Sequence, residues 1–202
     1  MTPTIPFVRH HAPMVRRSLS AKRQSVQCSP SDMSNGTKHL LRAFDGASRR
    51  LGEAVAALAT SWPNEDATDT VFAPLGETLV WLVALDDLLL GVPMYEARRD
   101  NDPNGKLLPG LRLARNVIVR GVPVFGVVRR PRTEAATDGP IVFGKTGLGG
   151  DRFACAWAHR SGFPNGIRRR PAQESSYDAN VMGRPLLEPL DRAMTFVKLE
   201  AT

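Results

Sequence analysis

The chain has 202 residues, 42% of them apolar, and a net charge of +7 from 27 basic against 20 acidic residues. That is length for one domain with tails and enough apolar material for a core, while no apolar run approaches the roughly 18–20 residues of a membrane-spanning helix. The excess charge is mostly arginine, which fits a polyanionic partner such as nucleic acid, or a GC-rich codon usage without any binding role.

The two cysteines, Cys28 and Cys155, form no CxxC pair, and His10, His11, His39 and His159 are not at ligand spacing. No metal site and no cofactor are therefore expected. A reducing, cytoplasmic setting is the simplest expectation.

Residues 1–36 hold five basic side chains against the single acid Asp32, among many Ser and Pro. Such a stretch cannot bury a core and is expected to be a disordered basic tail. No apolar region follows Arg16-Arg17, which argues against a secretory signal; a transit peptide fits the composition, and a third reading starts the protein at Met33.

Residues 37–128 are expected to form an antiparallel helical bundle. Over 37–62, Leu40, Phe44, Ala47, Leu51, Val55, Leu58 and Trp62 recur at spacings of three and four, the signature of a helix with one apolar face. Pro63 ends it. Residues 74–90, PLGETLVWLVALDDLLL, are apolar nearly all round, as in a central helix. A short helical piece over 94–99 leads through the turn DNDPNG to a helix over 106–120, stopped by Gly121 and Pro123.

Residues 129–202 are rich in Gly, Pro and Arg. IVF (141–143) and FACAWA (153–158) are short apolar runs that fit small strands or packed loop. A closing helix is expected over 186–199, with Leu187, Leu190, Met194 and Val197 on one side. The expected fold is thus mainly α: a bundle with a loop-rich C-terminal extension ending in a helix.

The helix over 106–120 carries the best candidate site. At about 100° per residue, Arg112, Asn116 and Arg120 share a polar stripe, with Arg115 beside it and no acid among them. Like charges so spaced repel, so solvent, buried carboxylates or a phosphate must offset them. Asp86 and Asp87, acids on the apolar second helix, need partners, and one of these arginines could supply them.

Two other patterns mimic sites. DNDPNG has the opening spacing of a calcium loop, but Leu111 stands where the bidentate Glu is needed; an Asx-type turn with a Gly at positive φ fits better. GPIVFGKT (139–146) satisfies the P-loop pattern, yet RRPRTEAATD before it is no core strand, GLGGDR after it is no helix, and its interior is bulky and apolar. Arg129-Arg130 with Arg132, and Arg168 to Arg170, are loop clusters that add nonspecific affinity at most. His159 stands alone.

ARNVIVRG, residues 114–121, resembles the RNxxxHG helix motif of HEPN domains, small all-α bundles often tied to RNA cleavage and to toxin–antitoxin or defence systems. The resemblance implies a homodimer in which Arg and His of two protomers meet and cleave RNA without metal. Arg115 and Asn116 match the first two positions. Arg120 stands in the His position, and a guanidinium cannot serve as a base near neutral pH. Residues 40–198 are also similar in segment order to small actinobacterial proteins that share an ARN helix, a Trp-containing stretch (here Trp157) and a Tyr followed by GRP (here Tyr177 and Gly183-Arg184-Pro185).

The expected function is therefore a catalytically inactive HEPN-like module that binds RNA or a protein partner through Arg112, Arg115, Asn116 and Arg120. Two alternatives stand beside it. One is a structural protein whose arginines pair with Asp86 and Asp87. The other is a metal-independent ribonuclease in which another residue replaces the missing His.

Overall fold

The computed structural model describes residues 30–60, 65–130, 152–165, 167 and 170–201. The segment 1–29, Trp62, the GPIVFGKT run, Arg132, Arg168 and Arg169 lie outside the described residues. Within them the chain is mainly helical, with six α-helices and one two-stranded antiparallel sheet.

Helices α1 (Pro30–Thr60) and α2 (Glu65–Leu89) form the first hairpin. Phe44, Ala47, Leu51, Ala54 and Leu58 of α1 are buried at helical spacing against Val71, Leu75, Leu79, Leu82 and Leu85 of α2. Each such leucine contributes about 2 kcal/mol over its exposed state. Helix α1 begins seven residues before the expected start at 37, so residues 30–36 are helical rather than part of the tail. Helix α2 also starts early and carries Pro74 inside it. Proline removes one backbone donor and crowds the preceding turn. The buried Val71, one turn back, anchors that turn to the core.

Helix α3 (Tyr95–Asn101) and a 3-10 turn (Gly105–Leu107) lead into α4 (Leu108–Ile118). The helix expected to reach residue 120 stops at Ile118; Val119 caps it and Gly121 takes a φ of 77°, a conformation that favours glycine. Strand β1 (Phe125–Arg130) then pairs with β2 (Arg152–Trp157), with Phe125 opposite Trp157 and Val127 opposite Cys155. Most of the FACAWA run thus lies in a strand paired with FGVVRR; the IVF run lies outside the described residues.

Helices α5 (Pro171–Asn180) and α6 (Leu187–Glu200) complete the chain. Helix α5 falls in a stretch expected to be loop. Trp157, Tyr177 and the GRP turn lock this half together. Trp157 Nε1 donates to the Leu186 carbonyl at 3.0 Å, and the Tyr177 hydroxyl donates to the Ala158 carbonyl at 2.8 Å. The two rings meet edge-on with centroids 6.5 Å apart. The Trp157 backbone amide donates to the Arg184 carbonyl, and Gly183 donates back to the Trp157 carbonyl, each at 3.0 Å. One apolar cluster runs through all of these elements, from Phe44 in α1 to Val197 in α6.

Candidate ligand-binding cleft

Asp86 lies one helical turn beyond Leu82, on the face of α2 that points into the core, and is 1% exposed. An unpaired carboxylate there would be strongly destabilising. The Tyr95 hydroxyl, at the start of α3, donates to Asp86 Oδ1 at 2.9 Å. Arg112 Nη2 of α4 donates to Asp86 Oδ2 in a short, direct ion pair, and Arg99 Nη1 lies 3.6 Å from Oδ1. Arg112 Nη1 also holds the half-exposed Asp87 at 2.7 Å. Arg99 spends its remaining donors on Asp100, at 3.0 Å, and Glu96, at 3.4 Å.

The electrostatics follow from this geometry. Burial opposes the charge on Arg112, but hydrogen bonds and attraction from Asp86 and then Asp87 outweigh it, leaving its pKa above the ordinary value. Arg99 behaves likewise, with burial overcome by Asp86 and Asp100. The Tyr95 phenol is pushed well above its ordinary value, first by burial and then by the Asp86 charge. All three groups therefore keep their protons across the physiological range.

Helix α5 forms the facing wall. A Cβ at Gly110 would lie 2.8 Å from the Tyr177 backbone nitrogen, so only glycine lets α4 and α5 approach this closely. Ser176 Oγ accepts from the Gly110 amide at 2.9 Å and donates to the Lys106 carbonyl at 2.6 Å. Between the walls is a cleft of about 720 Å³. Asp87, Glu96, Arg99, Asp100, Lys106 and Arg112 line one side; Arg170, Gln173, Ser175, Ser176 and Asn180 line the other.

The structure thus brings Asp86, Asp87 and Arg112 together and separates the rest of the proposed arginine stripe. Arg115 and Asn116 are half-buried and lie outside the cleft lining. Arg115 makes no side-chain hydrogen bond or ion pair among the described residues. Arg120 sits in the turn beyond α4, exposed, so it does not continue the helical stripe.

The DNDPNG segment divides between elements. Asp100 and Asn101 end α3, and Asp102 Oδ1 accepts from the amides of Asn104 at 2.7 Å and Gly105 at 3.0 Å. This is an Asx-type turn. Gly105 is needed there for close approach rather than for a positive φ, because a Cβ would fall 2.8 Å from Arg99 Cα. Among the described residues no group of three or more His, Cys, Asp or Glu is arranged to hold a metal.

Tyr95, Arg99, Lys106, Arg170 and Gln173 join the site without having stood out in the sequence. Arg99 had a visible signal, since a charged YEARRDN helix directly follows the apolar run holding Asp86. Gln173 had none, because α5 buries only Gln173 and Tyr177 and shows no apolar stripe. A smaller hollow of about 430 Å³ lies at His159, Arg160, Phe163 and Asp178. There Asp178, at 2.8 Å, and Glu174, at 2.7 Å, take up the Arg160 guanidinium.

The chain matches no protein-family model, no curated protein and no solved structure. No helix among the described residues is long and apolar enough to cross a membrane.

Proposed function

We propose that the chain is a non-catalytic binding module of HEPN-like helical type, and that its recognition surface is the cleft walled by Arg112 rather than the whole arginine stripe of α4. The observation that carries this reading is the buried Asp86. It holds Arg99 and Arg112 rigidly at one wall, while Ser176 ties the opposite wall to the same turn. A polar cleft with fixed walls is preorganised for a small ligand. No histidine or cysteine is among its described lining residues, so among these the group most suited to general acid–base work near neutral pH is missing. Arg120 in the motif's histidine position points the same way.

The test is where ligands perturb the folded chain. Amide chemical shifts in the presence of a panel of small polar compounds should move at Lys106, Arg112 and Gln173. Shifts confined to residues 115–120 would overturn the reading.

A second reading has its own observation. Arg115 is unpartnered among the described residues, and the chain carries a net charge of +7. RNA could dock on the Arg115, Asn116 and Arg120 end of α4, across the homodimer that the HEPN resemblance implies. That reading expects steeply salt-dependent RNA binding, lost when Arg115→Ala and Arg120→Ala are combined.

A further inference from the structure

We infer that the cleft between α4 and α5 is a binding site for a small organic phosphate of about mononucleotide size, its phosphate held by Lys106 and Arg170 and its organic part by Gln173. The inference rests on the reading of this cleft as the recognition surface and names its ligand class.

The charge pattern comes first. Among the described residues four cations line the cleft: Arg99, Lys106, Arg112 and Arg170. Arg99 and Arg112 are committed to carboxylates, namely Asp86, Asp87, Glu96 and Asp100. Those two arginines thereby answer every acid among the described lining residues. Lys106 and Arg170 make no side-chain hydrogen bond or ion pair among the described residues. The cleft therefore presents two uncommitted cations, one from the turn before α4 and one from the start of α5. Two cations favour a dianion over a monoanion, and the planar guanidinium of Arg170 suits two phosphate oxygens at once.

Gln173 is the second, independent observation. Only 7% of it is exposed, yet its side-chain amide makes no hydrogen bond among the described residues. No fully buried side-chain polar atom there lacks a partner, so the Gln173 amide keeps some exposure, and Gln173 lines the cleft. An amide held in place by burial offers one acceptor and two donors to whatever enters.

Size completes the assignment. The cleft of about 720 Å³ is far larger than an inorganic phosphate and falls within the range of roughly 300–1,000 Å³ usual for small-molecule sites. The phosphate end accounts for Lys106 and Arg170, and the remaining volume, with Gln173, Ser175 and Asn180 beside it, accounts for a polar organic part.

The experiment is calorimetric titration of the full chain at low salt with AMP and ribose 5-phosphate, each set against its dephosphorylated form, adenosine or ribose, and against inorganic phosphate. Each organic phosphate should bind at least tenfold more tightly than its dephosphorylated partner and more tightly than inorganic phosphate. Lys106→Ala and Arg170→Ala, both at exposed side chains, should each weaken binding by about tenfold with an unchanged melting temperature. Gln173→Leu should weaken the organic phosphates without weakening inorganic phosphate. Equal binding of phosphorylated and dephosphorylated probes, abolished by cleft variants, would overturn the ligand class while leaving the cleft as the recognition surface. Absence of binding by every probe to the folded chain would overturn both. Tight binding of a 5′-phosphorylated oligoribonucleotide with the same variant pattern, and none of AMP, would replace the free molecule by a phosphorylated RNA end.

Discussion

Tyr95 donates its phenolic hydrogen to Asp86 at 2.9 Å, and on the other oxygen of the same carboxylate Arg112 completes a buried pair. The three residues come from three consecutive helices, α2, α3 and α4. A single core carboxylate thus sets how the α3–α4 unit sits on the first hairpin. Removing it would leave two guanidinium groups partly buried without their main counter-charge. Asp86→Ala should cost about 3–5 kcal/mol in chemical denaturation. Tyr95→Phe, which removes one hydrogen bond to a charged group, should cost about 2 kcal/mol. A loss under 1 kcal/mol for Asp86→Ala would show that the pair does not hold the helices.

The same network distinguishes Arg112 from its neighbour. A double-mutant cycle between Asp86→Ala and Arg112→Ala should be strongly non-additive. The cycle between Asp86→Ala and Arg115→Ala should be additive within about 0.5 kcal/mol, because the two share no partner. The reverse pattern would return Arg115 to the place that Arg112 occupies here.

At Gly110, α4 comes close to the wall that carries Gln173. With a Cβ only 2.8 Å from the Tyr177 backbone nitrogen, Gly110→Ala must push α5 outward. The usual helix-propensity gain of about 1 kcal/mol over glycine should be reversed into a net loss of about 1–3 kcal/mol. The readout is the denaturation midpoint, with faster hydrogen exchange over 171–180 as the local sign.

Trp157→Phe should leave the Leu186 carbonyl without the donor now at 3.0 Å. It should also leave space beside Tyr177. A loss of about 2–3 kcal/mol is expected. Cleft binding should persist in this variant below its melting temperature, since Trp157 is absent from the cleft lining.

Burial pushes the Cys155 thiol from 9.0 up to about 11. The unfolded chain releases this proton near pH 9, whereas the folded chain holds it until about pH 11. Between those values the folded state binds more protons, so stability falls as pH rises through that window and the contribution is complete below it. The difference in stability between the parent chain and Cys155→Ala, measured at pH 8, 9.5 and 11, should shrink toward high pH. The comparison cancels the tyrosines, which ionise in the same range. A difference constant with pH would mean that the thiol does not titrate with folding.

The helices were legible because burial of one face imposes a period on the residues themselves. Leu51, Leu58, Leu79 and Leu82 announce α1 and α2 without any neighbour in view. The need for a partner at Asp86 was legible for the same reason, since an acid inside an apolar repeat cannot stand alone. Which arginine would answer it was not. Arg112, Arg115 and Arg120 are alike in a linear chain, and only the rotation of α4 against α2, together with its end at Ile118, selected Arg112. Helix α5 was hidden because PAQESSYDAN buries just two side chains, and its position depends on contacts with Gly110 and Lys106 far away in the chain. Composition and periodicity sufficed for a basic, mainly helical protein with a buried acid in want of a cation. Only the packing of the helices placed Arg99 beside Arg112 on that acid, and set Lys106 on one wall of a cleft whose other wall carries Arg170 and Gln173. Local periodicity is written in neighbouring residues; the meeting of side chains tens of residues apart is set by how whole helices pack.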